Sequence, residues 1–182
     1  MTVKTQVTIE DLYLVPDNGK AEIINGKINL MRPTGDMPGR AGGSIYISLR
    51  GIERQAGGRA YPDNVGFRVN LPNRKSFSPD AAFYVGKSSG IKFPEGAPVF
   101  AAEIRSANDY GKEAELGIEA KRNDYFAAGT LVVWDVDLLS EAVIKVYRAS
   151  DPEDPTVYRR GELAEAEPAV PGWQMPVDEL FD

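Results

Sequence analysis

The chain contains no cysteine and no histidine. Without cysteine, the protein has neither a disulfide framework nor a thiolate metal site. Without histidine, His-ligated zinc and the Ser-His-Asp and Cys-His forms of catalysis are excluded. Any acid–base chemistry must therefore come from Asp, Glu, Lys, Tyr or water.

Positive charge is outweighed by negative charge. The 21 Lys and Arg residues stand against 27 Asp and Glu residues, which gives a formal net charge of -6 and a pI near 4.9. This balance favours solubility and argues against a protein whose whole surface binds nucleic acid, so such a contact would need a local basic patch. The N-terminus lacks an apolar signal region, and no apolar run approaches membrane-spanning length. We therefore expect a cytoplasmic protein with no membrane partner.

The composition, with 42% hydrophobic and 26% charged residues, is that of one ordinary globular domain over residues 1–182. In chain order, the hydrophobic pattern predicts a hairpin, a helix, several short strands, a second helix and two further strands. This order indicates an α/β fold with a mixed, mostly antiparallel sheet flanked by helices. Pro and acidic residues dominate residues 150–182, where we expect an edge strand at Val157-Tyr158 and an irregular tail from Glu162 onward.

The clearest local pattern is an N-terminal β-hairpin, because Asn25-Gly26 is the pair that a type I′ turn prefers. A two-residue turn there pairs Ile23 with Ile28 and places Glu22 on the opposite face from both. Unless it has a further role, Glu22 is therefore expected to face solvent.

Two helices follow from apolar residues at helical spacing. The first runs from about Ser44 to Gln55 and ends at Gly57-Gly58. The Pro- and Gly-rich stretch before it, Met31 to Gly43, is expected to be a mobile loop. The second helix runs from Lys112 to Ala128, and Lys121 falls within its apolar stripe.

Two acidic residues stand at the ends of apolar strands. Asp80 opens the run Ala81 to Val85, and Glu103 closes the run Val99 to Ala102. Hard cations such as magnesium take oxygen ligands and often only one or two protein carboxylates. The pattern therefore indicates a divalent-metal site, with Lys121 as a charge partner for the two acids.

Each of these residues also has a purely structural interpretation. Asp80 follows a proline and could be a turn residue. Glu103 could be an exposed edge residue, or could pair with Arg105 of a second copy of the chain. Lys121 could bury its stem and leave its ammonium in water.

Several short segments also occur in a characteristic order. They are Glu-Ile-Ile-Asn-Gly-Lys-Ile at 22–28, Ser-Pro-Asp-Ala-Ala-Phe at 78–83, Ala-Glu-Ile-Arg-Ser at 102–106, residues 121–125, Ala128-Gly129 and Val-Trp-Asp-Val-Asp at 133–137. As an ordered set they resemble the Uma-type restriction endonuclease family of the PD-(D/E)XK nuclease superfamily. The resemblance covers about residues 8–148, and it implies a restriction-endonuclease-like core over them.

The resemblance also implies roles for individual residues. Asp80 and Glu103 match the metal carboxylates, and Glu22 matches an additional acid. Lys121 matches the position on the helix to which the superfamily's lysine is thought to have moved in this family.

The chain departs from the family pattern in three ways. The loop Met31 to Gly43 lacks the usual His, and the segment after Glu103 lacks the usual Pro. Arg105 stands two residues after Glu103, where most other superfamily members carry the catalytic lysine. Alternation puts both on one face, so Arg105 could stabilise charge near the metal, or could neutralise Glu103 and keep metal out.

These features together predict an endodeoxyribonuclease that depends on Mg2+ or Mn2+. Asp80, Glu103 and the backbone carbonyl of Ile104 would hold the metal, and Lys121 would orient water or stabilise charge. DNA is the expected partner, a homodimer is the candidate assembly, and the candidate phosphate-contacting residues are Arg40, Arg50, Arg54, Arg68, Arg74 and Lys75. Two alternatives stay open: a catalytically inert nuclease-fold module that dimerises or binds a partner, and a hydrolase of small phosphorylated molecules.

Overall fold

A six-stranded sheet forms the centre of the computed structural model, which describes residues 7–15 and 19–182. The helices are α1 (Ile9–Leu12), α2 (Asp36–Ala56) and α3 (Lys112–Ala127), and a 3-10 helix spans Val177–Leu180. The strands are β1 (Ala21–Ile24), β2 (Lys27–Leu30), β3 (Arg59–Pro62), β4 (Phe67–Arg68), β5 (Ser76–Phe77), β6 (Ala81–Tyr84), β7 (Phe100–Ile104), β8 (Val132–Val136), β9 (Ile144–Arg148), β10 (Asp151–Tyr158), β11 (Leu163–Glu165) and β12 (Gln174–Pro176).

The strand order in the central sheet is β10-β9-β8-β7-β6-β3. Strands β7 and β8 run parallel, and the other neighbouring pairs run antiparallel. Strands β1 and β2 form the predicted hairpin, with Ile23 opposite Ile28 and Glu22 opposite Asn29. The predicted fold class, a mixed and mostly antiparallel sheet flanked by helices with an N-terminal hairpin, is confirmed. Among the described residues, no helix combines the length and apolarity that crossing a bilayer requires.

The sheet is covered on both faces. On one face, Phe100, Ala102 and Trp134 pack in a core with Ile45 and Leu49 of α2. On the other face, the alternate residues Ala101 and Val133 pack in a second core with Tyr125 of α3. Because side chains alternate along a strand, Glu103 shares the α3 face with Ala101.

Helix α2 begins earlier than the sequence pattern indicates. Residues 36–43, predicted to belong to a mobile loop, form its first two turns, so that part of the prediction is wrong. Pro38 lies in the first turn, where a missing N–H costs no hydrogen bond. A Cβ atom at Gly42 would lie 3.4 Å from the Asp80 carbonyl oxygen and 3.4 Å from Ile104 Cδ1. Glycine thus lowers helix propensity here but lets α2 lie close against β6 and β7.

The C-terminal segment is not irregular, contrary to the prediction. Strand β10 forms an edge of the central sheet, which agrees with the predicted edge strand, but β11, β12 and the 3-10 helix follow it. Trp173 stacks on Trp134 with ring centroids 5.0 Å apart, and Val170, Met175 and Leu180 are buried in the same core. Trp173, Met175 and Val177 do alternate in the sequence, but Pro171 and Pro176 interrupt the stretch, and proline argues against both a helix and a central strand.

Candidate active site

The two predicted metal carboxylates lie side by side at one end of β6 and β7. Ala81 is opposite Ala102 in this antiparallel pair, and the Asp80 N–H donates to the Ala102 carbonyl at 3.1 Å. One further step of the same register brings Asp80 next to Glu103 on the same face of the sheet. The strand pairing therefore brings together two acids that are separated by more than twenty residues in the sequence.

Asp80 has a different partner for each of its oxygen atoms. Oδ2 accepts the backbone N–H of Ile104 at 2.8 Å, and Oδ1 accepts the ammonium of Lys20 at 2.7 Å. Lys20 also contacts Asp63 at 2.6 Å. Burial by itself would lower the pKa of Lys20, but the carboxylates of Asp80, Glu103 and Asp63 outweigh that effect and raise the pKa above the ordinary lysine value. Lys20 therefore carries a full positive charge beside Asp80.

Glu103 is held by two residues of α3. Lys121 Nζ donates to Oε2 at 2.7 Å, and the Tyr125 hydroxyl donates to Oε1 at 2.6 Å. These residues are four apart, so they share one face of the helix. Burial raises the pKa of Glu103, Lys121 opposes that shift, and Asp80 adds to it. The predicted inward position of Lys121 is what the structure shows.

The same environment fixes the protonation of the two α3 donors. Burial disfavours the charged Lys121, but Glu103 and Glu22 outweigh that effect and raise the pKa of Lys121 above its usual value. Burial also raises the pKa of Tyr125 well above the ordinary tyrosine value. Tyr125 therefore remains a hydrogen-bond donor, and its ring stacks on Phe77 with centroids 4.0 Å apart.

Glu22 does not face solvent, contrary to the structural expectation for it. The residue is 1% exposed. Its Oε1 contacts Lys121 Nζ at 3.1 Å and accepts the Ser78 N–H at 2.8 Å, and its Oε2 pairs with Arg74. The hairpin β1–β2 packs near β5, so the face opposite Ile23 is covered by protein rather than by water. Glu22 lies behind the cleft and supports Lys121.

Arg74 is one of the predicted phosphate-contacting residues, and its position contradicts that role. It is 4% exposed, and its Nε donates to Asp124 at 2.8 Å in addition to its pair with Glu22. A guanidinium that is enclosed by two carboxylates cannot contact DNA on the surface. Its charge instead balances Glu22.

The other predicted phosphate-contacting residues are at or near the surface. Arg40, Arg50, Arg54 and Arg68 are exposed, whereas Lys75 is partly buried. Arg40 donates to the carbonyl of Asp182, Arg50 pairs with Glu53, and Lys75 donates to the Leu71 carbonyl.

Arg105 lines the cleft but belongs to a separate cluster of charges. Its Nε and Nη2 donate to the two oxygens of Asp135, each at 2.8 Å, and its other side pairs with Glu115. These hydrogen bonds raise the pKa of Arg105 further above its already high value. Its contacts with these two acids do not match the alternative in which Arg105 neutralises Glu103.

A cleft of about 980 Å³ gives access to these groups. One wall is formed by residues 31–35 and Pro38, and the other by residues 105–110 and the first turns of α3. The charged side chains that line it are Lys20, Arg32, Asp80, Glu103, Arg105, Asp109, Glu113, Lys121 and Asp135. Both signs are represented, so the cleft can accommodate a cation at its acids and an anion at its bases.

The donor atoms in the cleft suit a hard divalent cation. Asp80 and Glu103 supply carboxylate oxygens from adjacent strands. Ile104, the last residue of β7, follows Glu103 and also lines the cleft. Within residues 7–15 and 19–182, no three acidic side chains are grouped so as to hold a metal. Two carboxylates are nevertheless the usual protein contribution to a magnesium site, where water and substrate complete the coordination. The residues therefore fit Mg2+ or Mn2+, with Lys20 and Lys121 as cationic neighbours of the two carboxylates.

Sequence analysis missed three residues that contribute to this site. Lys20 lies two residues before Glu22 in a strand-like segment, so alternation would have put both on one face. Tyr125 lies one helical turn after Lys121, where an aromatic residue in an apolar helical stripe is usually a core residue. Asp135 is the acid within the apolar run of β8, directly opposite Glu103 in the parallel register. An acid in a buried strand is itself a signal of a charged partner.

Comparison with known proteins identified a family and a solved structure of similar fold. A family model described as "Uma2: Putative restriction endonuclease" matches residues 8–178. A crystal structure titled as a "putative nuclease belonging to DUF820" from Anabaena variabilis ATCC 29413 is similar, with a TM-score of 0.72 and 18% sequence identity. The similarity covers 96% of this chain and 97% of that chain. No match was found among proteins of curated function.

Proposed function

The chain belongs to the Uma2 family, whose description reads "Putative restriction endonuclease", and from that premise we propose that it is a metal-dependent endodeoxyribonuclease. The reaction is hydrolysis of a DNA phosphodiester bond. The observation that carries the proposal is the position of Asp80 beside Glu103 in one cleft, with Lys121 hydrogen-bonded to Glu103. This combination provides oxygen ligands for a cation and a fixed positive charge for a phosphate.

Asp80, Glu103 and the Ile104 carbonyl are the groups that would hold Mg2+ or Mn2+. When bound, such a cation polarises the phosphate and activates water as a nucleophile. The Ile104 N–H fixes the orientation of Asp80 by donating to Oδ2, which leaves Oδ1 directed at its cationic partner. Tyr125 fixes Glu103 in the same way through Oε1.

Lys121 is the proposed catalytic cation. Its ammonium is oriented by Glu103 and Glu22, so it is preorganised to stabilise negative charge that develops on the phosphate or to orient the attacking water. Glu22 acts as a positioning residue, because Arg74 and the Ser78 N–H occupy its remaining hydrogen-bonding capacity. A direct role of Glu22 in holding a second cation would require one of these contacts to break.

Exposed arginine side chains outside the catalytic groups would contact the DNA backbone. Arg40, Arg50, Arg54 and Arg68 are the candidates, and Arg32 joins them because it lines the cleft and is exposed. Phosphate contacts of this kind provide sequence-independent affinity that falls with increasing salt. The net charge of -6 makes such a local set necessary for binding.

The test is cleavage of supercoiled plasmid DNA by the purified protein with Mn2+, with Mg2+ and with EDTA. We expect nicking or linearisation with a divalent cation and none with EDTA. Asp80→Asn should lose the cleavage, and Glu113→Gln, which removes an acid from the same cleft, should retain it. Cleavage that persists in Asp80→Asn would place the activity elsewhere or in a contaminant.

Two further measurements, Mn2+ binding and hydrolysis of p-nitrophenyl phosphate, separate the two alternatives. An inert module would bind no Mn2+ at Asp80 and Glu103 and would cut nothing. A hydrolase of small phosphorylated molecules would bind Mn2+ and hydrolyse p-nitrophenyl phosphate, but would leave plasmid DNA intact. The homodimer is a separate proposal, which sedimentation equilibrium tests directly.

A further inference from the structure

The Lys20 ammonium lies beside Asp80 on the side where a divalent cation bound to this carboxylate would lie. The Lys20 ammonium lies 2.7 Å from Asp80 Oδ1, the oxygen that the Ile104 N–H does not use. Its backbone is fixed by the hairpin, since the Met31 N–H donates to the Lys20 carbonyl at 2.8 Å. The side chain therefore reaches Asp80 from a defined position rather than from a free end of the chain.

Lys20 has a second acceptor outside the metal-binding groups. Its ammonium lies 2.6 Å from Asp63 Oδ1, and the Asp63 side chain is 45% exposed. Asp63 follows β3 in a turn and does not line the cleft. The ammonium is thus shared between a carboxylate inside the cleft and one at the surface.

We propose that Lys20 is a positioning residue that competes with the divalent cation for Asp80, and that Asp63 retains the Lys20 ammonium when the cation binds. The proposal rests on the metal-binding role proposed above for Asp80. Without a cation, Lys20 balances the charge of Asp80 and keeps its side chain in place. With a cation, the Lys20–Asp80 contact is lost and the Lys20–Asp63 contact persists, so the lysine stays charged and paired.

Lys121 cannot play this part in the same way. Its second acceptor is Glu22, which is 1% exposed and already bound to Arg74. Lys121 released from Glu103 would stay with an enclosed carboxylate, whereas Lys20 released from Asp80 would stay with a carboxylate at the surface. The competing cation is therefore assigned to Asp80 rather than to Glu103.

The test measures Mn2+ affinity by isothermal titration calorimetry on protein freed of metal with EDTA, so it does not depend on cleavage. Lys20→Met keeps the apolar stem and removes the charge. We expect it to bind Mn2+ about three- to tenfold more tightly than the unmodified protein, which is the range for removing one like charge from a partly exposed site. If Lys20 had only a structural role, its replacement would weaken metal binding.

The matched control is Lys27→Met, which removes a lysine from the exposed β2 strand of the same hairpin and gives the same change in net charge. It should leave the Mn2+ affinity unchanged. Equal tightening in both variants would attribute the effect to net charge and overturn the proposal.

A double-mutant cycle tests the part assigned to Asp63. Asp63→Asn alone should weaken Mn2+ binding, because the displaced ammonium loses its acceptor. In the Lys20→Met background, the same change should have a smaller effect, since no ammonium remains to be held. Equal effects of Asp63→Asn in both backgrounds would overturn the role of Asp63.

The outcomes also separate this inference from the proposed function. Mn2+ binding that is lost in Asp80→Asn but unchanged in Lys20→Met keeps the metal site and overturns the role of Lys20. Absence of Mn2+ binding in every variant overturns both. A circular dichroism melt of each variant verifies that it is folded, and Lys20→Arg, which keeps the charge, should bind Mn2+ no more tightly than the unmodified protein.

Discussion

The cleft contains two lysine–carboxylate pairs of the same chemistry in different surroundings. In one, Lys121 of α3 binds Glu103, and its second acceptor Glu22 is enclosed by protein and by Arg74. Every member of that set has a further partner within the fold. Breaking this pair therefore disturbs a connected network of charges.

The other pair joins Lys20 to Asp80, and it has no such support on the lysine side. The second acceptor of Lys20 is the half-exposed Asp63 in a turn. The difference indicates a division of roles: the lysine tied to the core is suited to fixed charge stabilisation, and the lysine tied to the surface is suited to exchange.

The largest expected effect comes from removing either carboxylate. Asp80→Ala or Glu103→Ala should reduce Mn2+-dependent plasmid cleavage to background, because a metal ligand is lost. Both proteins should stay folded, as their melting temperatures will show. Full cleavage by either variant would contradict the assignment of the two pairs to one metal site.

The next effect in size concerns Lys121. Lys121→Ala should lower single-turnover cleavage by roughly two to four decades, the range for a group that acts in the transition state. Lys121→Arg should not restore it, since a planar guanidinium cannot replace a compact ammonium between two carboxylates. Lys112→Ala, at the exposed start of the same helix, is the control and should cut normally.

Arg74 tests how firmly the Lys121 pair is anchored. Arg74→Met leaves Glu22 buried and less well compensated, and we expect a loss of about 3–5 kcal/mol in the free energy of unfolding. Urea denaturation measures this loss. Lys20→Met should cost clearly less, because its partners are closer to water. Equal costs would remove the contrast between the two pairs.

The smallest effect on turnover is expected for Arg105. Because Asp135 and Glu115 already occupy its guanidinium, Arg105→Ala should change single-turnover cleavage by no more than about tenfold, or about 1.4 kcal/mol. Its effect should appear mainly as lower stability, in a thermal melt. An inactive Arg105→Ala protein together with an active Lys121→Ala protein would assign the catalytic role to Arg105 on the strand side instead of Lys121 on the helix.

Sequence analysis identified three of the charged residues that the structure brings together in this cleft. Asp80 and Glu103 stood out because each is a charged residue in an otherwise apolar strand, and Lys121 because it interrupts an apolar helical stripe. Lys20 and Asp63 gave no comparable signal, since charged residues next to turns are ordinary on protein surfaces. Their role depends on a contact between residues that are 43 positions apart, as their numbers show.

The sequence by itself determined the hairpin register, the two main helices and the mixed sheet, because turn chemistry and hydrophobic period act over a few neighbouring residues. The tertiary structure alone decided the early start of α2, the burial of the C-terminal segment and the enclosure of Glu22. In each case, packing against distant residues outweighed local propensity: Gly42 fits against the Asp80 strand, Trp173 stacks on Trp134, and Arg74 neutralises a carboxylate that would otherwise stay in water.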